Sequence, residues 1–170
     1  MPRGMLTSAD GPVVVGDTTM RALVAIRRQK LLPQLYDAPI VMARSNFEAV
    51  CGVLPEPPHW LNVRDDRPEI ELPQRCETAT ASEAATIRLA LSPPPDRASF
   101  VLLEGPIKER AQLSFIKAQG TVSILVAAYR CGKLTAVRPM IKALERLGHA
   151  EVLPEPAMLD ALWKALDDLD

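Results

Sequence analysis

An apolar run followed by a polar turn, Val13-Val14-Val15-Gly16-Asp17-Thr18-Thr19, sets the pattern for the whole chain. Three β-branched residues in succession are typical of a strand that is buried on both faces. Beyond the turn, apolar residues recur at helical spacing up to Pro33. The segment is therefore predicted to form a strand, a turn and a helix.

The same alternation of short apolar runs and helical segments continues along the chain. Further strands are predicted over residues 39–42, 60–63 and 100–103, and a charged surface loop over 64–75. Helices are predicted over residues 45–51, 79–91, 107–118, 121–129, 137–147 and 157–169. This alternation predicts an α/β fold whose parallel sheet is covered by helices on both faces, with a helical C-terminal third.

Length and composition limit the classes of protein that are possible. The chain has 170 residues, a formal net charge of −1 and 48% apolar residues, which suits one globular domain. Residues 1–12 are expected to be an N-terminal extension and residues 13–170 the domain. Three scattered cysteines and two histidines favour neither a disulfide framework nor a zinc site. Without a signal-peptide pattern or a membrane-length apolar run, we expect a cytoplasmic protein that binds no membrane.

Four acidic residues follow or face the predicted strands. Asp17 and Glu104 follow the first and last of these strands, and Glu48 lies on the short helix after the second. Glu83 shares a helix face with apolar Ile87 and Leu91, so it is expected to point inward. Carboxylates without histidine or thiolate suit Mg²⁺ or Mn²⁺. The pattern favours metal-dependent hydrolysis of a phosphodiester.

Each of these acids also has a purely structural interpretation. Asp17 is a candidate cap for the helix that follows it, and Glu104 a candidate turn residue. Residues 45–48 (Ser-Asn-Phe-Glu) and 80–83 (Thr-Ala-Ser-Glu) both fit a capping box.

Taken in order, the motifs resemble those of PIN-domain proteins, in particular a branch of predicted nucleases similar to VapC-type toxins. In that family a hydrophobic strand ends in Asp followed by Thr or Ser, as at Asp17. The later elements match at residues 40–50, 82–91 and 100–104. The most specific match is the C-terminal pattern of Gly120-Thr121, an apolar helix, a Gly-containing turn at Gly132, and then Val137-Arg138-Pro139.

The resemblance implies a compact α/β/α fold with a parallel sheet of about five strands. It implies a Mg²⁺- or Mn²⁺-dependent endoribonuclease that forms a homodimer and is neutralised by a small antitoxin protein. By position, the acidic catalytic and metal-binding residues would be Asp17, Glu48, Glu83 and Glu104. Thr18 and Thr121 would be helpers near the metal or the phosphate.

Three departures from the family pattern leave an alternative open. Glu104 and Gly105 stand where the family usually has two Asp residues, and Ala85 replaces a Glu. A longer side chain at residue 104 would move a metal ligand outward, and Mg²⁺ is demanding in its geometry. The alternative is a catalytically degenerate PIN-fold binding or scaffold protein. A third hypothesis is an unrelated α/β domain that binds a small ligand.

Charge is unevenly distributed along the chain. Residues 105–149 carry eight Lys and Arg but only two Asp and Glu, whereas residues 150–170 carry one base and six acids. Seven of the bases are predicted to form a phosphate-facing surface: Lys108, Arg110, Arg130, Lys133, Arg138, Lys142 and Arg146. The net charge therefore excludes only a uniformly basic protein.

Overall fold

The structure, a computed structural model, describes residues 11–168. Five parallel strands form one sheet in the order β3-β2-β1-β4-β5. The strands are β1 (Val13–Val15), β2 (Ile40–Ala43), β3 (Leu61–Arg64), β4 (Phe100–Leu102) and β5 (Ala118–Gln119). The predicted α/β class and the parallel sheet are confirmed. Residues 1–10, most of the predicted N-terminal extension, lie outside the described part.

Eight α-helices in the described part surround the sheet. They are α1 (Asp17–Ala25), α2 (Leu31–Leu35), α3 (Arg44–Val50), α4 (Ala81–Ala90), α5 (Pro106–Leu113), α6 (Thr121–Arg130), α7 (Arg138–Arg146) and α8 (Pro156–Asp167). Short 3-10 turns occur at Gln74–Cys76 and Ala150–Val152. Among residues 11–168, no helix has the length and apolarity needed to cross a lipid bilayer.

The two faces of the sheet carry separate apolar cores. Val13 and Val15 of β1 point to one face, where they pack with helices α1, α2, α6 and α7. Val14 points to the opposite face, where Ile87 of α4 and Ala111 of α5 lie. Because successive strand residues alternate between the faces, an all-apolar run such as Val13–Val15 contributes to both cores. The result is the three-layer α/β/α arrangement that was predicted.

The strand order reverses beside β1. The chain runs from β1 outward to β3, returns to the other side of β1 as β4, and continues to β5. Val15 pairs with Leu102, and Leu102 pairs with Gln119, so these three strands end level with one another. A reversal of this kind leaves a crevice at the carboxyl ends of the strands, where ligands bind in open α/β sheets.

Two predicted helices differ from the structure. The helix that was predicted to continue to Pro33 is broken into α1 and α2, because Arg27 adopts a left-handed φ of 57°. Pro33 lies in the first turn of α2, where a missing N–H costs no helical hydrogen bond. The helix predicted over residues 107–118 was also wrong, since it ends at Leu113 and β5 begins at Ala118. A left-handed Phe115, with φ of 63°, turns the chain between them.

Candidate functional site

Three of the predicted acids meet in one cleft at the strand reversal. Asp17 follows β1, Glu104 follows β4, and Glu83 lies in the first turn of α4. All three line a cleft of about 20 Å³, which is room for one water molecule or one ion. The cleft is completed by Gly16, Thr18, Thr19, Thr86, Leu102 and Leu103.

One carboxylate oxygen of Glu104 is held by three donors. Its Oε1 accepts from the backbone N–H of Thr121 at 2.6 Å, from the Thr121 hydroxyl at 2.5 Å and from the Thr19 hydroxyl at 3.0 Å. Its Oε2 accepts no hydrogen bond among the described residues. A Cβ on Gly120 would come within 2.7 Å of that Oε2, so the carboxyl fits only because residue 120 is glycine. The Gly120-Thr121 pair therefore shapes and orients this acid.

Partial burial changes the ionisation of Glu104. Desolvation raises the pKa of its carboxyl above the usual range for Glu. The hydrogen bonds from Thr121 and Thr19, together with the charge of Lys108, lower the pKa and offset part of this effect. The carboxylate is therefore stabilised by fixed donors but still poorly solvated, so a cation beside it would be favourable.

Asp17 is paired with a neighbouring cation. It is only 9% exposed, and its Oδ2 accepts from Arg21 Nη1 at 2.9 Å. Arg21 Nη2 also donates to the carbonyl of Ala49 at 2.9 Å, which links α1 to α3. The predicted capping role of Asp17 was wrong, because Gly16 holds the cap position and Asp17 is the first helical residue.

Glu83 has a structural role at the start of α4. Its Oε1 accepts from the backbone N–H of Thr80 at 2.9 Å, while Thr80 Oγ1 accepts from the Glu83 N–H at 3.2 Å. This reciprocal pair is the predicted capping box, which is confirmed. Glu83 therefore lines the cleft and caps its own helix at the same time.

The fourth predicted acid, Glu48, lies apart from the other three. It is exposed on α3 and is absent from the lining of the cleft. The capping box predicted at residues 45–48 was wrong, since α3 begins at Arg44 without a side-chain cap. The polar side chain of α3 that turns inward is Asn46, whose Nδ2 donates to Thr86 Oγ1 at 2.7 Å and to the Ser82 carbonyl at 3.1 Å.

Threonines supply most of the polar contacts of the cleft. Of the two predicted helpers, Thr18 lines the cleft and Thr121 holds Glu104. Two further threonines were missed. Thr19 donates a hydrogen bond to Glu104, and Thr86 accepts one from Asn46. Two consecutive threonines after Asp17 were the available signal for Thr19. Nothing in the sequence pairs Asn46 with Thr86, which is 40 residues away.

The departures from the family pattern have local structural reasons. Gly105 has φ of 71° and ψ of −158°, a backbone region that residues with a Cβ rarely adopt. Ala85 is 8% exposed and packs in the apolar core between α4 and the sheet. A charged side chain at residue 85 would be desolvated there without a partner. A further carboxylate would therefore lower the stability of this fold at either position.

The backbone at Gly105 leads to a stability prediction. Gly105→Ala is expected to destabilise the protein by about 1–3 kcal/mol, because the left-handed conformation strains any residue with a Cβ. No atom lies within 4 Å of the added Cβ, so a steric clash does not contribute. Urea unfolding measures the change, with Gly52→Ala as the control, since its Cβ is also in open space but its φ is not left-handed. Equal stability of the two variants would contradict the prediction.

The cleft suits a hard divalent cation in its chemistry but is not arranged as a finished metal site. Its donors are carboxylate and hydroxyl oxygens, the ligands that Mg²⁺ and Mn²⁺ prefer. Within residues 11–168, however, no group of three or more His, Cys, Asp or Glu side chains is positioned to hold a metal ion. Asp17 and Glu83 would have to turn away from Arg21 and Thr80 to reach a common ion.

The basic residues of the 105–149 segment are used in different ways. Lys108 acts on Glu104 through its charge. Arg138 lies 3.5 Å from a carboxylate oxygen of Asp167 and 4.6 Å from the ring centroid of Trp163, so α8 engages it. Arg110 donates to the carbonyl of Arg75. Three of the seven bases therefore have partners within the described residues, and the phosphate-facing surface stays a prediction.

No family model matches the chain, and neither does a curated protein or a solved structure. The similarity to PIN-domain proteins therefore stays a prediction, which depends on the motif residues and their order.

Proposed function

We propose that the protein is a metal-dependent endoribonuclease of the PIN type. The observation that carries the proposal is the convergence of Asp17, Glu83 and Glu104 on one cleft at the reversal of strand order. These acids come from segments that are distant in sequence, and each capping or turn interpretation explains one acid at a time. None of those interpretations explains why the three share a cleft with threonine hydroxyls.

Each residue of the cleft has a proposed role. Glu104 is a ligand through Oε2, because Thr19 and Thr121 already hold Oε1. Asp17 and Glu83 would supply further oxygen ligands, and Glu48 is a more distant candidate on α3. A divalent cation bound here supplies activation of water and stabilisation of charge on the phosphodiester. Thr18 is positioned at the cleft to orient a phosphate oxygen.

Arg21 competes with a cation for Asp17, which leads to a test of the ligand assignment. Arg21→Met is expected to strengthen Mn²⁺ binding by up to about fivefold, the equivalent of a partly exposed ion pair. Calorimetric titration measures the change, and Arg28→Met, which changes an exposed arginine just beyond the end of α1, is the matched control. Weaker Mn²⁺ binding by Arg21→Met than by the control would argue against Asp17 as a ligand.

RNA cleavage tests the function itself. The wild type is expected to cleave a labelled RNA pool in Mn²⁺ and not in EDTA, while Asp17→Asn loses at least about 100-fold in rate, as expected for a residue of the reaction centre. Asp37→Asn removes an exposed acid outside the cleft and should cleave like the wild type. Cleavage at equal rates by Asp17→Asn and the wild type would refute the proposal, as would no cleavage of any RNA.

A second candidate function is a PIN-fold binding or scaffold protein without catalysis. It is favoured by the contacts that already satisfy Asp17 and Glu83, namely the Arg21 ion pair and the Thr80 capping box. Absence of Mn²⁺ binding at millimolar concentration would favour this candidate.

The biological role is proposed from the motif resemblance, which supports a homodimer that acts as the toxin of a toxin–antitoxin pair. The three scattered cysteines support a reducing, cytoplasmic location. A small open reading frame directly upstream of this gene would support that role. Co-expression of its product should suppress the cleavage described above.

A further inference from the structure

A second concave surface lies at the opposite end of the sheet from the acidic cleft. It is a groove of about 370 Å³ beside the first residues of β4 and the chain that enters β5. Its lining includes Phe100, Phe115, Pro94 and Pro95, together with the cations Arg97 and Lys117. A volume of this size is in the range of small-ligand sites.

Phe115 presents an entire aromatic ring to solvent. The residue is 98% exposed, although an aromatic side chain in a protein usually buries 150–250 Å² of surface. Its backbone is left-handed, with φ of 63°, in the turn between α5 and β5. A strained backbone that holds an unpacked ring outward is a feature that function explains better than stability.

Two cations without an ion pair line the same groove as this ring. Lys117 Nζ lies 5.8 Å from the ring centroid of Phe100, and neither Lys117 nor Arg97 forms an ion pair within residues 11–168. The neighbouring acid, Asp96, lies 3.6 Å from Arg64 instead. Among residues 11–168, no acidic side chain lines the groove, so the charge of its described lining is complementary to an anion.

The edge of the sheet beside the groove is not open to an extended peptide. Gln112 Nε2 donates to the carbonyl of Ala118 in β5 at 2.8 Å, so that acceptor is already used. Addition of a further strand depends on free main-chain groups of this kind. An exposed ring that shares a groove with unpaired cations instead matches the way in which single-stranded nucleic acid is held, by stacking of bases and neutralisation of phosphates.

We propose that this groove binds single-stranded RNA, with a base stacked on Phe115 and the adjacent phosphate beside Lys117 and Arg97. The choice of RNA rests on the proposed function, whereas the chemistry of the groove does not depend on the acidic cleft. From Phe100 to Glu104 the chain advances about 13 Å at the rise of a β-strand. A short RNA can therefore occupy the groove while another part of it reaches the cleft.

Fluorescence anisotropy of a labelled decauridylate in EDTA, at about 50 mM salt, tests the proposal without catalysis. Phe115→Asn is expected to weaken binding by about 5- to 150-fold, the effect of losing one stacked base. Asn tolerates the left-handed backbone, so the variant keeps the turn. Phe115→Tyr should bind like the wild type, as should Leu113→Ala, an exposed residue of α5 outside the groove.

The charges are tested through the salt dependence of binding. Lys117→Gln should weaken binding and reduce the slope of log affinity against log salt by about 0.7. Lys164→Gln, an exposed lysine of α8 outside the groove, is the matched control and is expected to reduce this slope less than Lys117→Gln does. Equal slopes for the two lysine variants would overturn the assignment of the phosphate contact.

Three results would overturn the proposal as a whole. The first is that Phe115→Asn and the wild type bind RNA with equal affinity, and the second is that the wild type does not bind RNA at concentrations up to about 100 μM. The third is that the wild type is a dimer which Phe115→Asn dissociates without any change in RNA affinity. The last would assign the surface to a second copy of the chain. Phe115-dependent binding by a protein that never cleaves RNA would refute the proposed function and leave the groove assignment intact.

Discussion

Gly120→Ala is expected to weaken Mn²⁺ binding and slow RNA cleavage by about 10- to 100-fold, the usual effect of disturbing the surroundings of a metal ligand. The added Cβ would lie 2.7 Å from Glu104 Oε2, which is closer than atoms in contact allow, and 3.3 Å from its Cδ. The carboxyl must therefore shift relative to the threonines that hold it. Because the end of a flexible side chain can move, the expected loss of stability is only that of a weakened hydrogen bond, about 1 kcal/mol.

The backbone of Gly120 makes this variant informative. Its φ of −115° and ψ of −179° are extended values that alanine adopts without strain, so the effect arises from the contact with Glu104. Gly52→Ala, whose Cβ meets no atom within 4 Å, should behave like the wild type in titration and cleavage. If Gly120→Ala bound Mn²⁺ and cleaved RNA like Gly52→Ala, Glu104 would not be a ligand.

Glu104→Gln is expected to raise the stability of the metal-free protein and to reduce its stabilisation by Mn²⁺. Without metal at neutral pH, the variant should be more stable than the wild type, because burial raises the pKa of Glu104 and its charge is unfavourable in the fold. The amide retains an oxygen that can accept from Thr19 and Thr121. With Mn²⁺ at about 100 times the Kd of the wild type, the wild type should gain about 2.7 kcal/mol and the variant at most about 1.4 kcal/mol.

The dependence on pH follows from the direction of the pKa shift. The folded pKa of Glu104 lies above the unfolded value of about 4.3, so the folded state binds more protons between the two values. The wild type therefore loses stability relative to Glu104→Gln as pH rises above about 4.3. This loss stops increasing above the folded pKa, and at lower pH the difference due to ionisation disappears.

Urea unfolding in EDTA across this pH range measures the difference. Glu109→Gln, an exposed acid on α5, is the matched control and should show no comparable trend relative to the wild type. A stability difference between the wild type and Glu104→Gln that is independent of pH would contradict the assigned environment of Glu104.

Much of the fold follows from local sequence patterns. The β-branched run of β1 and the apolar run of β4 identify the two strands at the centre of the site. The breaks at Arg27 and Phe115 could not be predicted, because nothing in either side chain favours the left-handed backbone that each adopts. Strand β5 was also missed, because its two residues follow the unpredicted turn at Phe115 and are too few to show a strand pattern.

The site was predictable where it depends on strand ends and not where it depends on side-chain packing. Asp17 and Glu104 follow neighbouring strands, so their proximity could be expected from the topology. The position of Glu83 followed from helical periodicity. The hydrogen bonds from Thr19 and Thr121 to Glu104 form because strands β1, β4 and β5 end at the same level of the sheet. That register is determined only when the sheet assembles.

Calorimetric titration of the wild type with Mn²⁺, beside Asp17→Asn and Glu104→Gln, tests most directly whether the cleft is a divalent-cation site. The wild type is predicted to bind Mn²⁺ at a saturable site with a submillimolar Kd, and both variants are predicted to lose at least about tenfold in affinity. No heat of binding from the wild type at millimolar Mn²⁺, or equal affinity of all three proteins, would contradict this assignment.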